Sequence, residues 1–146
     1  MQIKVKKLRG GAKLPVLGSK TAAGADLHAC LEHDLTSIAC HRTVKIPTGI
    51  AVEIPDGYFG AIFARSGLAT KCGLRPANCV GVIDSDYRGE VIVALHNDTD
   101  ENQMIENGER IAQLVILPCQ NVQFTEVSEL SETERGDGGF GSSGRK

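Results

Sequence analysis

Ile50-Ala51-Val52-Glu53-Ile54, then Pro55-Asp56-Gly57, then Tyr58-Phe59-Gly60-Ala61-Ile62-Phe63 read as two alternating apolar runs about a three-residue break. Alternation of period two is the pattern of a half-buried strand. Proline presets φ at the break and glycine accepts positive φ, so the stretch predicts a β-hairpin. The same texture recurs along the chain, with further strands expected at 3 to 8, 25 to 31, 43 to 46, 91 to 97, 111 to 117 and 122 to 128, and another tight turn at Asn107-Gly108. No long window carries helical periodicity. With four Phe, two Tyr and no Trp, the core must be aliphatic. The expectation is an all-β domain, a jelly-roll-like sandwich or barrel with one short helix.

A chain of 146 residues makes one compact domain. It divides into a β core over 1–134 and a glycine-rich arm over 135–146. The formal net charge of -2 gives no broad basic face for nucleic acid or an anionic membrane, so any bound anion must be gripped locally. The amino terminus alternates like a strand and lacks a signal-peptide core, and no apolar run approaches a membrane span. A soluble protein is expected, cytoplasmic or, in a eukaryote, nuclear. The five cysteines contain no Cys-x-x-Cys pair and are expected as free thiols and small buried hydrophobes. A metal site built from Cys72, Cys79 and a histidine is the weaker reading.

Three segments carry chemistry. Gly81-Val82-Ile83-Asp84-Ser85-Asp86-Tyr87-Arg88-Gly89 puts acids, a ring and a cation between two glycines, with β-favouring flanks on both sides. A carboxylate between buried strands must be hydrogen-bonded, paired or used, which singles out Asp84. Ser66 to Gly73 has a capping serine in front and a glycine behind, the pattern of a helix of one or two turns. Its front would attract phosphate beside Arg65, or it is a satisfied cap and nothing more. From Arg135 to Lys146 the chain is rich in glycine with one aromatic, Phe140, and cannot order itself by burial. The arm is expected either to close over a nucleotide or to be a free tail. Its Gly-x-Gly-x-x-Gly matches lack the strand and helix a dinucleotide site needs.

Together these segments resemble the trimeric dUTP pyrophosphatase family, in the family's order. Ala23-Gly24-Ala25-Asp26-Leu27 is similar to the first motif and Arg65-Ser66-Gly67-Leu68-Ala69 to the second. Gly81 to Gly89 is similar to the third, Gly108-Glu109-Arg110-Ile111-Ala112-Gln113-Leu114 to the fourth and Arg135 to Gly144 to the fifth. The resemblance implies a jelly-roll homotrimer whose active sites are shared between subunits, dUTP as substrate, and Mg2+ on the triphosphate. It implies that Asp84 activates the water that attacks the α-phosphorus, and that Arg65, Ser66, Gly67 and Gln113 hold phosphate. Asn78, Gly81, Val82 and Ile83 would read uracil through the backbone of a hairpin, with Tyr87 against the deoxyribose. Arg135, Gly141, Ser142 and Ser143 would close on the γ-phosphate while Phe140 covers the base. Asp26 would reach the metal through water, or form with Arg110 a structural, interface ion pair. Two other readings stand beside this one. The first is a non-catalytic uridine-nucleotide sensor or partner-binding protein on the same fold. The second is a relative of deaminases acting on dCTP, whose catalytic glutamate falls where this chain has Ala94.

Overall fold

The computed structural model describes residues 1–139; Phe140 to Lys146, with the expectations placed on Phe140, Gly141, Ser142 and Ser143, lie outside the described residues. Twelve strands and one helix follow in order: β1 (Lys4–Lys7), β2 (Val16–Leu17), β3 (Ala25–His28), β4 (Leu35–Ile38), β5 (Thr43–Pro47), β6 (Ile50–Glu53), β7 (Tyr58–Phe63), α1 (Ser66–Cys72), β8 (Leu74–Pro76), β9 (Gly81–Ile83), β10 (Ile92–Asn97), β11 (Gln103–Glu106) and β12 (Arg110–Pro118). The largest sheet runs β2-β3-β12-β7-β9, a second runs β5-β10-β8, and β11-β4 and β1-β6 form two-stranded ladders. Every ladder is antiparallel. The all-β expectation with one short helix holds.

The core is aliphatic, as composition required: Leu27, Ile38, Ile46, Ile50, Leu74, Leu95, Ile105 and Ile111 are all fully buried. Val91, Val93 and Leu95 are buried while Ile92 is about half exposed, so a run that reads as continuously apolar buries alternate residues. Buried Asn97 donates to the carbonyls of Ile38 and Glu101 and accepts from the Thr99 N–H and hydroxyl, stitching β4 to the turn after β10.

The predicted hairpin at 50–63 is corrected. Its turn is present, with Tyr58 N–H donating to the Pro55 carbonyl at 3.2 Å and Gly57 at φ 79°. Its strands do not pair: β6 lies on β1 and β7 lies between β12 and β9. The reason is burial on both faces. Ile50, Ala51 and Val52 are consecutively buried, as are Gly60, Ala61 and Ile62. The chain turns a corner between layers there, and Gly60 leaves room for Ile54 and Leu114, whose Cδ1 atoms would lie 2.9 Å from an added Cβ.

The third-motif hairpin is corrected in the same way. β8 belongs with β10 and β9 with β7, so residues 77 to 80 cross between sheets. β9 and β10 likewise join different sheets, and Val82 is exposed, so the segment is not flanked by two buried strands. No strand forms at 122–128: Val122, Phe124 and Val127 are exposed, because the segment meets neither a ladder nor an apolar face of its own chain. The sequence reading passed over β2, β4, β8 and β11, which are short.

Candidate active site

The centre of the candidate site is Asp26 on β3. Register sets its neighbours: Gln113 of β12 lies opposite Asp26 on one side and opposite Phe63 of β7 on the other. The end of β7 then delivers Arg65 to the same place. Arg65 Nε donates to Asp26 Oδ1 at 3.0 Å, Arg110 Nη1 to Oδ2 at 3.2 Å, and Gln113 Nε2 to Oδ1 at 3.4 Å. Arg65 Nη1 also donates to the Arg110 carbonyl at 3.3 Å. The Asp26 side chain is 6% exposed, against 25% for Arg65 and 55% for Arg110. A carboxylate this buried is stable only when paired, and here both oxygens are. Gly24 lets β3 begin close against Gln113, whose Cβ would sit 3.1 Å from a Cβ at that position.

The three segments similar to the first, second and fourth motifs therefore meet on one carboxylate. The ion pair expected for Asp26 and Arg110 forms within one chain, since β3 and β12 are ladder neighbours. Arg110 is the residue the sequence underrated. Its signal was position, three residues before Gln113 on a strand whose register to β3 only the structure supplies.

Beside this cluster, α1 starts at Ser66. Its N-cap is Arg65, with extended backbone and no side-chain hydrogen bond, so the serine expected as a cap is instead the first helical residue and is exposed. Gly73 ends the helix in the left-handed region at φ 61°, as the sequence predicted. Ser66 and Gly67 thus stand open next to the two guanidinium groups. His28, two residues beyond Asp26, has its pKa lowered from 6.5, first by burial and then by Lys13. Its Nδ1 is buried and has no hydrogen-bond partner among the described residues.

Asp84 sits elsewhere. Ile83 pairs with Gly60 and Gly81 with Ile62, so β9 runs away from the Arg65 end of β7. Arg65 lies five residues past Gly60, on the order of 15 Å along the strand direction. Asp84 is exposed, and its carboxylate has no hydrogen-bond or ion-pair partner among the described residues. The expectation that burial constrains it is corrected, because it follows an edge strand rather than lying between two covered ones. Tyr87, about half exposed, closes a turn by donating its N–H to the Asp84 carbonyl at 3.2 Å. Asn78 is exposed in the preceding crossing, where Cys79 takes φ 62°. β9 is the outer strand of its sheet, so the backbone groups of Val82 that do not face β7 are directed outward.

Arg135 forms a local turn in which its Nε donates to the Gly138 carbonyl at 2.8 Å. All five cysteines are free, but Cys40, Cys79 and Cys119 are exposed rather than buried. Among the described residues no three His, Cys, Asp or Glu side chains are grouped to hold a metal ion. With both Asp26 oxygens engaged by guanidinium groups, this carboxylate has no free position for direct coordination of a cation. No helix among the described residues is long and apolar enough to cross a membrane.

The fold and site have close counterparts. The chain is 49% identical over 146 residues, the full length of both proteins, to the deoxyuridine 5'-triphosphate nucleotidohydrolase of Hydrogenobaculum sp.. It is 53% identical over 133 residues, 90% of this chain and 87% of the relative, to that of Desulfitobacterium hafniense. Among solved structures, the dUTPase of Staphylococcus bacteriophage 80alpha with dUPNHPP superposes with a TM-score of 0.88 at 33% identity, covering 98% of each chain. A mutant dUTPase from phage phi11 of S. aureus, described for the coordination of a structural Mg(II) ion, superposes with a TM-score of 0.80 at 25% identity over 90% of this chain and all of that one. The dUTPase family model matches residues 11–144, from before the Asp26 segment into the glycine-rich arm. The chain belongs to the dUTPase family.

Proposed function

We propose that the chain hydrolyses dUTP to dUMP and pyrophosphate, as a homotrimer whose active sites combine segments of different subunits. The observation that carries this reading is the separation of two carboxylates. Asp26 gathers Arg65, Arg110 and Gln113 into a phosphate-facing cluster, while Asp84 waits unpaired at the opposite end of β7. Within one chain the two lie towards opposite ends of a strand, and a second copy could present its Asp84 to the first copy's cluster.

In the assembled site, Arg65, Ser66 and Gln113 position the triphosphate, with Asp26 holding the guanidinium of Arg65 in register. Asp84 orients the attacking water and takes its proton, a task that an exposed, unpartnered carboxylate is free to perform. The water oxygen bonds to the α-phosphorus as the bond to the bridging oxygen breaks, and pyrophosphate leaves. Mg2+, if bound to the triphosphate, would neutralise charge, with Asp26 reaching its hydration shell at most. Those backbone groups of Asn78, Gly81, Val82 and Ile83 that are not paired to β7 offer uracil a fixed donor and acceptor pattern that cytosine would mismatch. Tyr87 packs on the sugar where a ribose hydroxyl would sit. Arg135, Phe140, Gly141, Ser142 and Ser143 close over the γ-phosphate and the base, so truncation after Glu134 should remove most of kcat/KM without preventing assembly.

The deaminase reading loses its catalytic group. Ala94 lies on β10 with no carboxylate, and the nearby Glu90 side chain is occupied by Arg9 and the Gly49 amide. A pyrophosphate-release assay across dUTP, dCTP, dTTP and UTP, with ammonia followed in parallel, tests the proposal. Pyrophosphate from dUTP alone is expected. Ammonia from dCTP would establish deamination, and binding without turnover would establish a sensor.

A further inference from the structure

The segment from Asp84 to Glu90 carries both the carboxylate and the tyrosine, yet it is a surface loop between two different sheets, and something must fix its height. Glu90 does so from below. Its side chain, 17% exposed, accepts from the Gly49 N–H at 2.8 Å through Oε1 and from Arg9 Nη2 at 3.0 Å through Oε2. Arg9 is itself tied to the Cys30 carbonyl at 3.3 Å, and Gly49 accepts from the Leu8 N–H at 2.7 Å. Gly49 is closely packed against the body of the domain: it sits at φ +69°, and an added Cβ would lie 2.8 Å from both Ala12 Cβ and Cys30 Sγ. Above this anchor, the Tyr87 hydroxyl donates to the Glu90 carbonyl at 3.0 Å. The ring lies on Gly89, where any Cβ would overlap the Tyr87 hydroxyl and ring.

We propose that Arg9 and Glu90 are positioning residues for sugar selection, holding the loop so that Tyr87 stands at the height that admits deoxyribose and excludes ribose. The inference rests on the role proposed above for Tyr87. Arg9 lies just after β1, remote in sequence and outside all five motif segments, so motif matching alone does not find it. A carboxylate held by two donors from separate segments is a rigid mount, whereas a loop held only by the Tyr87 turn would let the ring ride outward and make room for a 2′-hydroxyl.

The test measures kcat and KM for dUTP and UTP with the full-length assembled enzyme, for wild type, Glu90→Gln, Glu90→Ala and Arg9→Met, with thermal melts and light scattering to establish folding and assembly. Glu90→Ala should lower the dUTP over UTP preference in kcat/KM by at least about tenfold, mostly through KM, and keep kcat on dUTP within roughly threefold. Glu90→Gln, which still accepts from the Gly49 N–H, should recover most of the preference. Arg9→Met should fall between them, and it decides the question alone if Glu90→Ala does not fold. Unchanged preference in folded variants overturns the proposal, as does an equal loss on both nucleotides. A wild type that does not hydrolyse dUTP defeats the underlying functional reading, a result the first assay delivers separately.

Discussion

Two aspartates in one small domain have opposite surroundings. Asp26 is almost fully buried and shares its two oxygens among Arg65, Arg110 and Gln113; Asp84 is exposed at the end of an edge strand with a carboxylate free of partners among the described residues. A carboxylate already committed to two cations has its lone pairs occupied and is not free to orient a water. One that is free and solvated can accept a proton from water once substrate brings that water within reach. On the proposed mechanism the difference separates labour: Asp26 organises the groups that would hold phosphate, and Asp84 is left for chemistry.

Exchanging the two roles by mutation should therefore give two distinct kinds of damage. Asp84→Asn should lower kcat by about two to four orders of magnitude, with the melting temperature and the affinity for a non-hydrolysable dUTP analogue nearly unchanged. Steady-state kinetics paired with calorimetry would show it, and a variant keeping more than about a tenth of wild-type turnover would move the base elsewhere. Asp26→Asn should destabilise the fold by about 1–3 kcal/mol. Two guanidiniums lose their counter-charge, but both retain access to solvent, which keeps the loss below that of a fully buried pair. Denaturant melts give that figure, and a loss of turnover without loss of stability would instead make Asp26 a group of the reaction itself.

The smallest effect expected is at His28, which belongs to the Asp26 side. Its folded-state pKa lies below the ordinary 6.5 because burial, and then Lys13, Arg110 and Arg65, disfavour the imidazolium against the opposing pull of Asp26. The unfolded chain thus binds the proton first as pH falls. Stability should be unaffected by this group well above pH 6.5 and should decline as pH drops from 6.5 towards the folded-state pKa. Thermal melts above and below that pH should show a smaller acid loss in His28→Gln than in wild type. An identical loss in both would assign the acid sensitivity to other groups.

Much of this architecture was legible in residue order. Alternation over 50–54 and 58–63, Gly57 in its turn and Gly73 after its helix all mark the element boundaries that form. What alternation could not give was pairing. A short turn between two strands reads as a hairpin whether they share a sheet or pass between sheets, and here burial on both faces of β6 and β7 decided for the corner. The site divides similarly. Asp26, Arg65 and Gln113 were named from their motifs, but that they converge on one carboxylate depends on the register of β12 between β3 and β7. Arg110 was named within its motif, but its place beside Arg65 on Asp26 follows from strand register, and the Arg9–Glu90 anchor is a tertiary fact with no local signature. The argument that singled out Asp84 does not hold, since the residue is exposed where burial was expected.

The central claim is that the Asp26 cluster of one subunit works with the Asp84 of another, and subunit mixing tests it directly. Asp84→Asn and Arg65→Met chains should each assemble and be nearly inactive alone. Unfolded together in equal amounts and reassembled, they should regain about a quarter of wild-type dUTP hydrolysis, because random mixing pairs an intact Asp84 with an intact Arg65 across about one interface in four. If mixed oligomers form, as native mass spectrometry would establish, and activity stays at the level of the parents, the two carboxylates serve the same chain and the shared-site account is wrong.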